Sequence, residues 1–120
     1  MKCPCFSGKL YEECCKPYHQ GRAAETPLIL MRSRYAAYAL GLADYILLTT
    51  HSTNPKDRDQ ILAFSRETQF VGLTMLESTD ATVTFTAHLK QGNRDASFTE
   101  KSRFLKENGI WKYQDAILNL

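Results

Sequence analysis

Thr82-Val83-Thr84-Phe85-Thr86-Ala87-His88-Leu89 alternates polar and apolar side chains without a break. That is the period of a strand with one face buried, and it predicts Val83, Phe85, Ala87 and Leu89 on the core side. Before it, Phe70 to Leu76 reads as a strand in which Gly72 marks a bulge or a close approach. After it, Gln91-Gly92-Asn93 turns the chain into a third strand from about Ala96 to Lys106. Asn108-Gly109, a strong hairpin signal, leads to a fourth from Ile110 to Ala116. Upstream the period lengthens to that of a helix. Thr26-Pro27 offers an N-cap oxygen and a proline at the first helical position. Leu28, Met31, Tyr35, Tyr38 and Leu42 follow at spacings of three and four, and Gly41 ends or bends that helix. Asp44 starts a second helix through Leu48. Asn54-Pro55 is a turn, and Asp57 to Arg66 is a third helix with Ile61, Leu62 and Phe64 inward. Helices first and an antiparallel four-strand meander afterwards define an α+β domain.

The chain has 120 residues, 43% of them hydrophobic, which suits one globular domain and excludes disordered and low-complexity classes. Fifteen Lys and Arg against thirteen Asp and Glu leave +2, so no polyelectrolyte partner is demanded and nucleic acid is a weak candidate. The apolar-leaning stretch from Leu28 to Leu48 contains Arg32, Arg34 and Asp44, which argues against a membrane span. The start Met-Lys-Cys-Pro-Cys is unlike a secretory signal, so a cytoplasmic location is expected. No Gly-x-Ser-x-Gly, P-loop, Gly-x-Gly-x-x-Gly or His-Glu-x-x-His occurs, and the reading leans away from an enzyme.

All four cysteines, Cys3, Cys5, Cys14 and Cys15, fall in the first fifteen residues. Disulfide or redox chemistry is one reading. In a reducing compartment so tight a cluster points instead to a zinc site. Cys3-Pro-Cys5 puts two sulfurs on one side of a turn, Ser7-Gly8 reverses the chain, and a short helical turn from Lys9 returns the second pair. Four thiolates close a tetrahedron with no open position, which makes the ion structural. Deprotonating four thiols and adding Zn²⁺ takes the formal charge from +2 to zero. Lys2, Lys9 and Lys16 then read as counter-ions of the cluster. His19 is either a replacement ligand or a hydrogen-bonding cap on the knuckle.

The run Cys3-Pro-Cys5-Phe-Ser7-Gly8-Lys9-Leu-Tyr11-Glu-Glu-Cys14-Cys15 resembles the SEC-C motif, the zinc module at the C-terminus of the SecA translocation ATPase. With Tyr18-His19-Gln20-Gly21, Leu30 to Tyr38 and Glu100-Lys101-Ser102-Arg103-Phe104, nearly the whole chain resembles the YchJ family of small bacterial proteins. The resemblance implies a zinc-binding segment over residues 1–20. It also implies a nuclear-transport-factor-2-like domain over 21–120, a cystatin-like cone of helices on a curved antiparallel sheet. Phe6-Ser7 stands where the module often has Gly-Ser. Thr99 stands where the family usually has His before Glu-x-Ser-Arg-Phe.

One strand is anomalous. Phe98 and Phe104 place Glu100 and Ser102 on the apolar face of the third strand, and a buried carboxylate is costly unless paired. Arg34 is the candidate partner, through a bidentate ion pair tying helix to sheet. Alternatively Glu100 is a pocket acid, aided by Arg34 and possible rim residue His51. Tyr35, Tyr38, Tyr45, Trp111 and Tyr113 are core residues or the lining of a ligand cavity. Two function classes follow. The first is a non-catalytic protein-interaction module whose zinc knuckle docks on a protein partner of the secretion or ribosomal machinery, with homodimerisation through the sheet. The second is a small-molecule-binding protein or enzyme with its pocket in the cone around Glu100.

Overall fold

The computed structural model describes residues 1–119. A 3₁₀ turn (Tyr11–Glu13) and helices α1 (Lys16–His19), α2 (Pro27–Leu40), α3 (Ala43–Leu48) and α4 (Arg58–Glu67) precede strands β1 (Gln69–Ser78), β2 (Thr82–Gln91), β3 (Arg94–Asp95), β4 (Phe98–Glu107) and β5 (Ile110–Asn119). The strands form one sheet in the order β1-β2-β4-β5, with β3 paired to β2, and every pairing is antiparallel. The fold is α+β, and the helices cover the concave side of the sheet.

The local signals act as their chemistry requires. Thr26 accepts from the Ile29 amide at 3.2 Å at the start of α2, and Gly41 closes it at φ +73°, in the left-handed region. Asp57 caps α4 through the Gln60 amide at 3.0 Å. Val83, Phe85, Ala87 and Leu89 are buried, and they meet Leu30, Ile46 and Phe104 in the core. Two register shifts bend β1, at Phe70/Gly72 and Met75/Glu77. At the first, a Cβ on Gly72 would lie 3.1 Å from His88 Cδ2. His88 points away from the core and pairs with Thr74 across the strands at 2.8 Å.

Three expectations need correction. Residues 16–26 are not all linker: Lys16–His19 is helical, because Pro17 suits a first turn. The second helix begins at Ala43 after Leu42, so Asp44 lies in its first turn and is not its cap. The third strand is not continuous from Ala96. Ser97 accepts the Leu89 amide through its hydroxyl at 2.9 Å, and its own amide donates to Asp95 at 2.9 Å. A side chain thus replaces a ladder bond, and β3 separates from β4.

Candidate functional site

The four sulfurs converge. All four Sγ atoms lie within 4.8 Å of one another, with Cys5–Cys14 at 3.5 Å and Cys14–Cys15 at 3.9 Å. A zinc tetrahedron with bonds of about 2.3 Å has edges of about 3.8 Å, so the set fits a four-coordinate ion with small adjustments. Backbone hydrogen bonds wind the chain around the four sulfurs. The Cys3 amide donates to Lys9 O at 2.8 Å, the Phe6 amide to Cys3 O at 3.1 Å, and Lys2 bridges Leu10. The turn passes through Phe6 at φ +62° and Gly8 at +88°. Phe6 bears this strain without glycine's freedom, and its ring stands 49% exposed.

As thiols, Cys3, Cys5 and Cys15 compete for protons. A hydrogen bond from Cys15 pulls the Cys5 thiol down to about 4, whereas burial pushes Cys3 up to about 11. Cys15 is raised by its hydrogen bond to Cys5 and by burial. Such a set releases its remaining protons when a cation takes their place. Ser7 Oγ lies 3.2 Å from Cys14 Sγ, and Arg32 Nη1 donates to Cys5 O at 3.2 Å, with Cys5 Sγ at 3.9 Å. Arg32 is the cation that sequence reading missed, because it approaches from 27 residues away. Lys9, expected as a counter-ion, is exposed and makes its described contacts through its backbone, while Lys2 Nζ donates to Gly8 O at 3.0 Å.

His19 neither replaces a cysteine nor bonds a sulfur. Its Nδ1 pairs with Tyr11 OH at 2.7 Å, its Nε2 with Ser33 O at 2.8 Å, and its ring meets Tyr45 edge-on at 4.8 Å. The acceptor at Ser33 requires the proton on Nε2, so Nδ1 accepts from the tyrosine. His19 is therefore a strut from the knuckle to α2. Ala36, fully buried, packs against Cys3, Cys5 and Cys15 on the same helix.

The opposite side of α2 faces a second feature. A cavity of about 390 Å³ lies between α2, the N-terminal half of α4 and the sheet. Its apolar wall includes Met31, Phe64, Phe70 and Phe85, and its polar residues include Arg34, Lys56, Glu100, Ser102 and Tyr113. Arg34, only 5% exposed, donates from Nη1 to Ile46 O at 3.2 Å and to the Thr49 and Thr50 hydroxyls at 2.8 and 3.0 Å. Its guanidinium lies over the Tyr113 ring, 4.7 Å from the centroid. Burial lowers its pKa, and a guanidinium stays a cation in proteins.

The anticipated Arg34–Glu100 ion pair is absent among the described residues. Arg34 is held by α3 and its C-terminal cap, and Glu100 Oε2 accepts instead from Ser102 at 2.5 Å and Tyr113 at 3.3 Å. Tyr113 thus stands between the two charges, and burial raises its phenol's pKa. The inward register of Glu100 and Ser102 is as expected, since both line the cavity. His51 does not reach it. Its amide donates to Tyr113 O at 2.7 Å, its Nδ1 pairs with Thr53 at 2.9 Å, and its Nε2 lies 3.9 Å from Glu107. Ser52 donates to Glu107, and the hydroxyl that pairs with the imidazole is that of Thr53; none of His51, Ser52 and Thr53 lines the cavity. Of the aromatics, Tyr35, Tyr38 and Tyr113 line the cavity. Trp111 lines a smaller depression elsewhere, and Tyr45 bonds Ser33 in the core at 2.7 Å. Lys56 is the pocket cation that sequence reading missed: it follows the turn at Asn54-Pro55, and only the fold swings that loop over the cavity.

Residues 26–116 match the family model described as YchJ, middle NTF2-like domain. A UPF0225 protein of Deinococcus radiodurans is 43% identical over 117 residues, covering 95% of this chain and 87% of the relative. One from Vibrio parahaemolyticus is 36% identical over 121 residues, covering 94% and 72%. The solution structure of a SEC-C motif containing protein from Rhodopseudomonas palustris superposes with a TM-score of 0.85 at 39% identity, over 97% of each chain. The crystal structure of another, from Psychrobacter arcticus, gives 0.78 at 25% identity over 98% of this chain and 82% of that one.

Proposed function

This chain belongs to the YchJ family, and from that premise we propose that it is a zinc-stapled, non-catalytic binding protein, with a knuckle over residues 1–20 and a cone over 21–120. The convergence of four sulfurs within 4.8 Å carries the reading. Four donors fill a tetrahedral ion, so zinc there stabilises structure and takes no substrate. The knuckle is the surface offered to a protein partner: Met1, Phe6 and Leu10 are exposed on it, the Phe6 ring standing half-exposed while it meets Tyr35 edge-on. Elemental analysis of protein purified under reducing conditions is the test, with about one zinc per chain expected. A folded, metal-free chain would overturn the zinc assignment and return the cysteines to disulfide or redox chemistry. For the partner, co-sedimentation with ribosomes and with vesicles bearing the secretion channel is expected for the wild type and lost in Phe6→Ser. Retention by neither assembly removes the interaction reading.

A second reading has its own observation. The cone keeps a cavity of about 390 Å³ beside a buried arginine, a size at the lower end of small-molecule sites. On that basis the cone binds a small molecule, with Glu100 and Arg34 among its contacts. Dimerisation through the sheet belongs to the first reading, and the dependence of sedimentation on protein concentration tests it.

A further inference from the structure

We infer that the cone takes a small carboxylic acid with an apolar tail and a hydroxyl or amino group beside the carboxylate. This rests on the second reading above, that the cone holds a small molecule.

The inference starts from Arg34. Every hydrogen bond it makes to the described residues leaves from Nη1. Nε and Nη2, the edge of the guanidinium that grips a carboxylate with two parallel bonds, have no acceptor among those residues. No carboxylate lies within ion-pair distance of it there. Those nitrogens are not walled in either, because among the described residues Ser65 Oγ is the one sealed side-chain polar atom without a partner. Arg34 lines the cavity. Two threonine hydroxyls and the face of Tyr113 fix the plane of the fork, so the free edge is held in place before a ligand arrives. A cation kept 95% out of water with no counter-charge in contact is costly unless something supplies that charge.

The other polar groups narrow the class. Lys56 lies 5.7 Å from the Tyr113 ring centroid and adds a second positive charge to the cavity lining. Glu100 engages Oε2 with Ser102 and Tyr113, and Oε1 has no described partner. It offers an acceptor to a donor on the ligand, and its charge disfavours a dianion such as phosphate. Asp57 and Gln60 also line the cavity, with the Asp57 carboxylate engaged as the cap of α4 at the Gln60 amide. The remaining lining is mainly apolar, Met31, Phe64, Phe70 and Phe85 among it, which suits an aromatic or branched aliphatic tail. A carboxylate on Arg34, a hydroxyl or ammonium on Glu100 and a tail on the phenylalanines describe a 2-hydroxy or 2-amino acid with an apolar side chain.

The test uses three probes of one shape, L-3-phenyllactate, 3-phenylpropionate and 2-phenylethanol. They are titrated into the metal-replete full chain and followed by amide chemical shifts and calorimetry. Phenyllactate is expected to bind tightest, phenylpropionate more weakly, and phenylethanol at least about tenfold more weakly than phenyllactate, with shifts at residues lining the cone. Glu100→Gln is expected to reduce the preference for phenyllactate over phenylpropionate. Arg34→Met is expected to abolish binding of both acids. Should that variant fail to fold, Lys56→Met, which changes a group making no described hydrogen bond, is expected to weaken both acids and leave phenylethanol unchanged. Phenylethanol binding as tightly as phenyllactate would overturn the acid class while leaving a small-molecule cavity. No cavity shift with any probe up to about 10 mM would overturn the class and the cavity reading together.

Discussion

Replacing Arg34 by methionine separates a cation kept for binding from one kept for structure. In the wild type the guanidinium gives up water for three contacts, all from Nη1, which has only two hydrogens, and for the face of Tyr113. Losing two charged hydrogen bonds costs about 3–6 kcal/mol, and losing a desolvated cation–π contact about 1–2 kcal/mol more. Against this, methionine removes a desolvation penalty of several kcal/mol and fills most of the same volume. The change orphans no donor: Thr49 Oγ1 still donates to Tyr45 O at 2.7 Å and Thr50 Oγ1 to Ile46 O at 2.6 Å. The terms nearly cancel, and the expected stability change is within about 2 kcal/mol of zero, or about 8 °C in Tm for a chain of this length. Urea unfolding followed by circular dichroism measures it, with Phe104→Ala as the scale. Phe104 is almost fully buried in the core, and its truncation is expected to cost about 3–5 kcal/mol. If Arg34→Met destabilises as much as Phe104→Ala, the guanidinium is a structural tie and the reasoning above fails.

The remaining predictions concern pH, a strand bulge and a helix cap. Tyr11, Tyr18, Tyr35, Tyr38, Tyr45 and Tyr113 all have raised pKa values, with burial the largest cause in each. The folded chain therefore holds phenol protons that the unfolded chain releases near pH 10. Stability is fully present below that pH and falls above it, and the native protein at pH 10 should show less tyrosinate absorbance at about 295 nm than the unfolded one. Equal absorbance in the two states would contradict the burial of these rings. Gly72→Ala sets a Cβ 3.1 Å from His88 Cδ2 and 3.3 Å from His88 Cβ and should cost about 1 kcal/mol by urea melts. The effect should be reduced in a His88→Ala background, which removes the ring but keeps the Cβ contact. An equal loss in both backgrounds would show that the ring contact is not the cause. Thr26→Ala removes the acceptor for the Ile29 amide and should cost about 1 kcal/mol, with Thr26→Ser restoring most of it.

What the sequence revealed was local. Thr26-Pro27, Gly41 and Asp57 act through neighbours a few residues away, so their roles could be read directly. The alternation from Thr82 to Leu89 needs only a sheet with one covered face, and the inward placement of Glu100 and Ser102 followed from Phe98 and Phe104 by the same rule. The cysteines could be grouped because the whole set fits within fifteen residues. The partners of the charged groups could not be read. Arg34 turned to the hydroxyls of Thr49 and Thr50, and Glu100 turned to Ser102 and Tyr113. Both choices depend on where α3 and β5 meet, at the bridge between Thr50 and Tyr113. His51 looked available to a pocket, but that same junction anchors its amide outside the cavity. Apolar spacing also described α2 as two-sided, although Ser33, Arg34, Ala36 and Ala37 are all buried. A helix sandwiched between two sites has no wet face to give a clean pattern.

That sandwiching constrains how the family can vary in length. Arg32 and Ala36 meet the cysteine knuckle, while Met31, Arg34, Tyr35 and Tyr38 look into the cone. A helix turns about 100° per residue. One residue inserted between Arg32 and Ala36 would therefore rotate everything beyond it by that angle, carrying Ala36 off the sulfurs and Tyr38 out of the cone at once. No compensating change at a single site would repair both. Length differences among functional relatives should accumulate between Gln20 and Thr26, after the knuckle and its His19 strut, and the count of residues within the middle turns of α2 should stay fixed even where the residues themselves change.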